Sequence, residues 1–170
     1  MIKGQEINLK HILVPVDFSD SSIKALRYAL AFAKEFKASL TLLHVAFVQP
    51  EFLTEEGSLA AKNFLYAEAQ RQSAILIREE VLERGVEGTS VVLVGNPPDK
   101  IVKFAQEAKV DLIVLATHGR TGVKRFLMGG TTERVVRLAP CPVLVVRPRE
   151  HEFIPVTTEE TPESRSEGTA

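Results

Sequence analysis

The 170-residue chain has a single cysteine, no tryptophan, two methionines and two tyrosines. One thiol cannot close an intramolecular disulfide, and without a second there is no thiolate pair for a zinc site. Cys141 stands between two prolines in Ala139-Pro140-Cys141-Pro142-Val143, where it reads as a small buried apolar filler. No apolar run approaches the roughly 20 residues that cross a bilayer. The opening MIKGQEINLKHILVPV lacks the long apolar core and small-residue cleavage site of a leader. A dominant charge is missing too: 21 basic against 22 acidic residues leave a net charge of -1. That balance gives no electrostatic ground for a nucleic-acid or membrane partner. The expectation is a reduced, soluble, cytoplasmic domain with neither kind of partner.

What is present begins with an uneven charge distribution. Six glutamates against Arg165 give residues 150–170 a net charge of -5, which leaves residues 1–149 at +4. The segment HEFIPVTTEETPESRSEGTA has little to bury beyond Phe153, Ile154 and Val156. It reads as a flexible acidic tail. The expected division is therefore one domain over residues 1–148 and a tail over 149–170.

Short apolar runs without alternation suit strands buried on both faces, as in parallel sheets. Five occur: His11–Val16, Ser39–Val45, Thr89–Val94, Asp111–Leu115 and Val143–Val146. Between them lie four helical patterns. The first is capped by Ser19 or Asp20 and carries Ile23, Leu26, Leu30 and Ala33 at helical spacing. The second runs from about Leu59 to Arg84 and stops at Gly85; the third opens on Pro97 or Pro98 and presents Ile101, Phe104, Ala105 and Ala108. The fourth covers about Thr131 to Leu138. Strict alternation of strand and helix calls for an α/β fold, an open parallel sheet covered by helices on both faces.

In such a doubly wound sheet the binding crevice lies at the carboxyl ends of strands, where the winding reverses. Two strand ends carry suitable chemistry. The first run ends in Pro15-Val16-Asp17, and Asp17 has two readings on local sequence alone: a cap for the next helix, or an acceptor for a ligand. The fourth runs into ATHGRTGVKRFLMGGTT, residues 116–132, where strand, Gly-rich loop and helix start follow one another. Backbone amides arranged that way cradle phosphate. Gly119, Gly122, Gly129 and Gly130 also suit plain tight turns, and Arg120, Lys124 and Arg125 either screen phosphate charge or solvate the loop. Thr131 and Thr132 offer hydroxyls at the helix start. No Gly-Lys-Ser/Thr closes the loop, so it is not the nucleoside-triphosphatase P-loop, and no G-x-G-x-x-G follows the first strand.

The pairing of ILVPVDFSD near the start with ATHGRTGVKRFLMGGTTERVVRLAPCPVLVVRP near the end resembles the universal stress protein family, over roughly residues 9–148. Nucleotide-binding members of that family carry G-x2-G-x9-G followed by Ser or Thr. Here the frame is Ala116-x2-Gly119-x9-Gly129-Gly130: the spacing matches, while Ala116 and Gly130 replace the first glycine and the hydroxyl residue. The resemblance implies a five-stranded sheet in order 3-2-1-4-5, of the adenine-nucleotide α-hydrolase-like kind, with the first and fourth strands adjacent. It implies ATP as ligand, with Mg²⁺ accompanying the phosphates. The residues it places around the nucleotide are Pro15, Val16, Asp17 and Val45 at the base and ribose, then Ala116, His118, Gly119, Arg120, Gly129, Gly130, Thr131 and Thr132 along the phosphates. A homodimer through the edge strand Val143–Val146 is implied as well; an uncharged apolar edge of that kind calls on physical grounds for pairing or for cover, and the alternative to a dimer is the acidic tail folding back over it.

Catalytic signals are weak. His118 beside Gly119 reads as a loop brace, His44 as structural, and His11 and His151 as exposed. No paired carboxylates, metal-ligand spacing or nucleophile elbow is visible. The expected function is a nucleotide-binding regulatory dimer with at most slow ATP hydrolysis. The alternative is a nucleotide-independent interaction module, favoured by Ala116 and Gly130. An adenylyl-transferring enzyme would need a catalytic cluster that the sequence does not display.

Overall fold

The computed structural model describes residues 7–47, 57–117 and 130–148. The elements run β1 (His11–Pro15), α1 (Asp20–Phe36), β2 (Ser39–Ala46), α2 (Gly57–Leu76), β3 (Gly88–Val94), α3 (Pro97–Glu107), β4 (Leu112–Ala116), α4 (Gly130–Leu138) and β5 (Val143–Val146). All pairings are parallel, in the order β3-β2-β1-β4-β5. The chain starts at the middle strand, winds outward to one edge, returns, and winds to the other. Right-handed crossovers then put the helices on both faces, in three layers.

Two cores result. One face of the sheet packs Ile12, Val14, Leu40, Leu42 and Val114 against α1 residues such as Ala25, Leu26 and Ala29. The other packs Leu13, Leu43, Ile113 and Leu115 against Ile101, Ala105 and Val135 of α3 and α4. Consecutive residues Ile12, Leu13 and Val14 are all fully buried because alternate side chains enter opposite cores. This explains the unbroken apolar run of β1.

Local chemistry sets the element ends. Ser19 caps α1, its side chain accepting from the Ser22 amide. Lys37 ends that helix in the left-handed conformation, with φ of 53°. Pro97 and Pro98 open α3 in its first turn, where a missing amide hydrogen costs nothing. The second helical pattern is not uniform: α2 gives way to a π-helical segment over Ile77–Leu82. Gly88 lies beneath that segment, and a Cβ there would stand 2.8 Å from Val81 Cγ1 and 3.0 Å from the Leu40 carbonyl oxygen. The close approach of helix and strand needs a glycine at this point.

The histidine at the start of β1 differs from expectation. His11 is partly buried: its Nε2 lies 2.8 Å from Thr41 Oγ1 and its Nδ1 3.3 Å from the Ala108 carbonyl oxygen. A polar ring so placed must be hydrogen-bonded, and it braces β1 to β2 and to the end of α3. Beside it, Asp111 Oδ2 accepts from the amides of Lys10 and His11, each at 2.9 Å.

The central seam is short. The β1–β4 ladder registers Ile12 on Leu112 and Leu13 on Ile113 and ends there. On either side the ladders continue, β1 to Pro15 on Leu43 and β4 to Ala116 on Val146. The carboxyl ends of the two central strands are thus left unpaired with each other at the point where the winding reverses.

Candidate functional site

A cleft of about 520 Å³ opens above that seam. Its size lies within the usual range for small-molecule sites, roughly 300–1,000 Å³. The floor is Pro15, Val16 and Asp17 at the end of β1, Leu43 to Ala46 of β2, and Leu115, Ala116 and Thr117 at the end of β4. One wall is the start of α4, Gly130, Thr131 and Thr132; another is α2, through Leu65, Glu68, Ala69 and Gln72; Pro97 and Ile101 of α3 close a third side.

Of the residues expected around a ligand, Pro15, Val16, Asp17, Val45, Ala116, Gly130, Thr131 and Thr132 all line this one cleft. They come from the ends of three strands and from one helix start, separated by more than a hundred positions in sequence. His118, Gly119, Arg120 and Gly129 lie outside the described residues, as does the tail over residues 149–170.

Asp17 does not cap α1 itself. Its Oδ1 accepts from the Ser19 amide at 3.1 Å and from the Ser19 hydroxyl at 2.5 Å. The turn that carries it is held on the other side by His44, whose Nδ1 lies 2.9 Å from the Val16 carbonyl oxygen. Between them Phe18 adopts φ of 63°, a conformation a bulky residue rarely takes, with its ring stacked on His44 at 4.5 Å. Backbone strain at one residue persists only where its surroundings fix it, and here a stacked ring and two hydrogen-bonded neighbours do so.

Across the cleft, Thr132 is 5% exposed and its hydroxyl donates to the Ala116 carbonyl oxygen at 2.8 Å. That bond ties the first turn of α4 to the end of β4; the first amides of any helix have no acceptor within it. Gly130 is exposed, and a Cβ there would meet nothing within 4 Å. An interhelical ion pair, Arg134 to Asp99 at 2.7 Å, links α4 to α3 nearby.

The α2 wall was not legible from sequence. Glu68 is held by Arg71, in contacts of 2.7 and 3.0 Å, and by Gln72 Nε2 at 2.7 Å. The Arg71 hydrogen bond foremost, then that of Gln72, holds the Glu68 carboxyl down at about 2. It stays ionised at any ordinary pH. No local pattern marks these residues, because only the packing of α2 on β2 and β3 brings them to the cleft. Ser19 did leave a signal: an Asp two residues before a Ser is the spacing of a side-chain-stabilised turn.

Cys141 lies at the opposite end of the sheet, partly buried against the α3–α4 core. Burial pushes its thiol up, with Asp111 adding to the effect. Among the described residues no group of three or more His, Cys, Asp or Glu could hold a metal ion. Nor is any described helix long and apolar enough to cross a membrane.

Comparison with known proteins agrees with this geometry. Residues 8–147 match the family model described as the universal stress protein family. The chain is 38% identical over 148 residues to universal stress protein MJ0531 of Methanocaldococcus jannaschii, covering 86% of this chain and 87% of that protein. The solved structure of MJ0577 from the same organism superposes with a TM-score of 0.77 at 33% identity, over 85% of this chain and 100% of that one. More distant solved relatives include a universal stress protein in complex with cAMP, at 25% identity and a TM-score of 0.56. Another, from Archaeoglobus fulgidus in complex with dAMP, has 26% identity and a TM-score of 0.54. They cover 83% and 82% of this chain and 98% and 99% of their own.

Proposed function

This chain belongs to the universal stress protein family, and from that premise we propose that it binds ATP in the cleft above the β1–β4 seam, as a regulatory homodimer. One observation carries the reading: a carboxylate fixed at the end of β1 and the first turn of α4 face a common cleft of nucleotide size. Nucleotides have the matching polarity. A base amino group or ribose hydroxyl donates to a carboxylate, while phosphate oxygens accept from helix-start amides and lie at the favourable end of the dipole.

In this reading Asp17 recognises the nucleoside, and Val45 and the Pro15-Val16 backbone border it. Gly130 and Thr131 meet the phosphates, together with the loop glycines Gly119 and Gly129 and with His118 and Arg120. The cradle is built mainly from backbone amides, so Ala116 and Gly130 alter affinity without removing it. A Mg²⁺ ion would be held chiefly by the phosphates, since the described residues offer it no cluster of acids. The dimer would form through the edge strand β5, whose Val143, Leu144 and Val145 are only partly buried within one chain.

The test is direct. With no tryptophan and two tyrosines, the purified protein absorbs little of its own near 260 nm, so bound adenine would stand out. Calorimetry with ATP should give saturable binding, weakened by about tenfold or more in Asp17→Ala, the scale of a lost hydrogen bond to a charged group. An adenine-free extract and no heat of binding would favour the alternative, a nucleotide-independent interaction module.

A further inference from the structure

A proline in a central strand goes against the sheet, because its nitrogen has no hydrogen to give the ladder. β1 is the middle strand of five, yet it ends on Pro15. Amides along a strand point alternately to its two neighbours, and the contacts fix which way Pro15 faces. The Val16 amide donates to the Leu43 carbonyl oxygen of β2 at 2.9 Å, while the His11 carbonyl oxygen accepts from the Asp111 amide, just ahead of β4, at 3.0 Å. Odd positions of β1 therefore face β4. On β4, the Ile113 and Thr117 amides donate to the Pro142 and Val146 carbonyl oxygens on the β5 side, each at 3.0 Å, so the even positions face β1. With Leu13 registered on Ile113, the next bond of the ladder would run from the amide of residue 15 to the Val114 carbonyl oxygen. Pro15 cannot make it.

We propose that Pro15 is a positioning residue for the ligand: by withholding that amide it ends the β1–β4 ladder at Leu13 and holds apart the strand ends on which the cleft stands. For the identity of the ligand the inference rests on the ATP reading given above. The placement is one-sided. The β1–β2 ladder runs on through Pro15 on Leu43, whereas a proline at position 14 or 16 would break that ladder instead. The last carbonyl oxygen on the β1-facing side of β4, that of Ala116, accepts from the Thr132 hydroxyl at 2.8 Å. The end of β4 is thus tied to α4 where a longer ladder would tie it to β1. Pro15 and Ala116 both line the cleft. A local rule broken in the central strand, beside the cleft, is where sequence and fold are expected to conflict for the sake of a site.

The test gives residue 15 its amide. In ligand-free Pro15→Ala, NMR should find this amide protected from hydrogen exchange and scalar-coupled through the new bond to the Val114 carbonyl carbon. Exchange at the rate of an exposed amide, or a bond to another acceptor, would overturn the proposal whether or not ATP binds. Calorimetry with ATP then reads the consequence for the ligand. Pro15→Ala and Pro15→Val should each weaken binding by about fivefold, the worth of one backbone hydrogen bond that the ligand must reopen. Unchanged affinity once the ladder has lengthened would refute positioning. A loss confined to Pro15→Ala would assign the effect to side-chain contact and refute it equally. Absence of ATP binding by the wild type would refute the functional reading, while the exchange measurement still judges Pro15.

Discussion

Serine at position 130 is the sharpest single perturbation of the phosphate side of the cleft. Gly130 opens α4, is exposed, and leaves open space where a Cβ would project. Among the described residues nothing therefore demands glycine there, and Gly130→Ser adds a hydroxyl where the motif this loop resembles carries Ser or Thr. Replacing a glycine whose backbone tolerates a side chain stabilises by about 0.4–1 kcal/mol through the unfolded chain. For a protein of this size that corresponds to a rise in Tm of about 1–4 °C. On the proposed placement of the phosphates, the new hydroxyl, presented beside the amides of the first turn, would add one hydrogen bond to phosphate. A net value near 1 kcal/mol makes ATP binding roughly fivefold tighter. Calorimetric titration with ATP and a thermal scan of the ligand-free protein read the two effects separately. A raised Tm with unchanged or weaker affinity would refute the placement of phosphate at the start of α4. A fall in Tm would refute the open space itself.

The remaining predictions test the scaffold and its ionisable groups. Gly88→Ala forces a methyl within 2.8 Å of Val81 and 3.0 Å of the Leu40 carbonyl oxygen, so it should destabilise by about 1–3 kcal/mol in chemical denaturation; an unaffected midpoint would show that the π-helical segment shifts freely. Lys37 is exposed and left-handed at the end of α1, and Lys37→Gly should stabilise by about 0.5–1 kcal/mol in the same assay. The Cys141 thiol is raised by burial above its ordinary value of 9.0. Its alkylation rate should therefore rise with pH along a curve whose midpoint lies above that of a free thiol. The sign for stability follows: above pH about 9 the unfolded chain loses this proton first, so the thiol's contribution falls as pH rises. Cys141→Ala should flatten that part of the stability profile.

Much of the fold can be read from residues because the parallel sheet leaves a strong mark. Runs such as Ile12-Leu13-Val14 are apolar without alternation only when both faces are covered, and Ser19, Pro97 and Gly85 punctuate the helices as their backbone chemistry requires. The order of the strands came from family resemblance, and the structure agrees with it. What could not be read depends on tertiary contact. The π-helical segment over Ile77–Leu82 has no composition of its own; it lies where Val81 and Ile77 pack close to Gly88. Phe18 takes a left-handed conformation with no glycine or asparagine to announce it, because a stack on His44 holds it. His11 looks exposed until Thr41 and the end of α3 arrive around it. In the site, the strand ends were legible from Asp17 and Ala116, whereas the α2 wall with Glu68 and Gln72 was not.

The short seam between β1 and β4 also has a consequence for folding. The amides of Lys10 and His11 meet Asp111 across 101 and 100 positions of chain, a loop whose closure must precede any reward from the contacts it makes. The pairings of β1 with β2 and of β2 with β3 join nearer neighbours in sequence. The cleft exists only where the two halves, β1 to β3 and β4 to β5, meet, since its floor takes residues from both. A ligand bound there would span both halves, and at a hundredfold excess over Kd it would deepen the folded state by about 2.7 kcal/mol. Occupancy would then report that the two halves are docked.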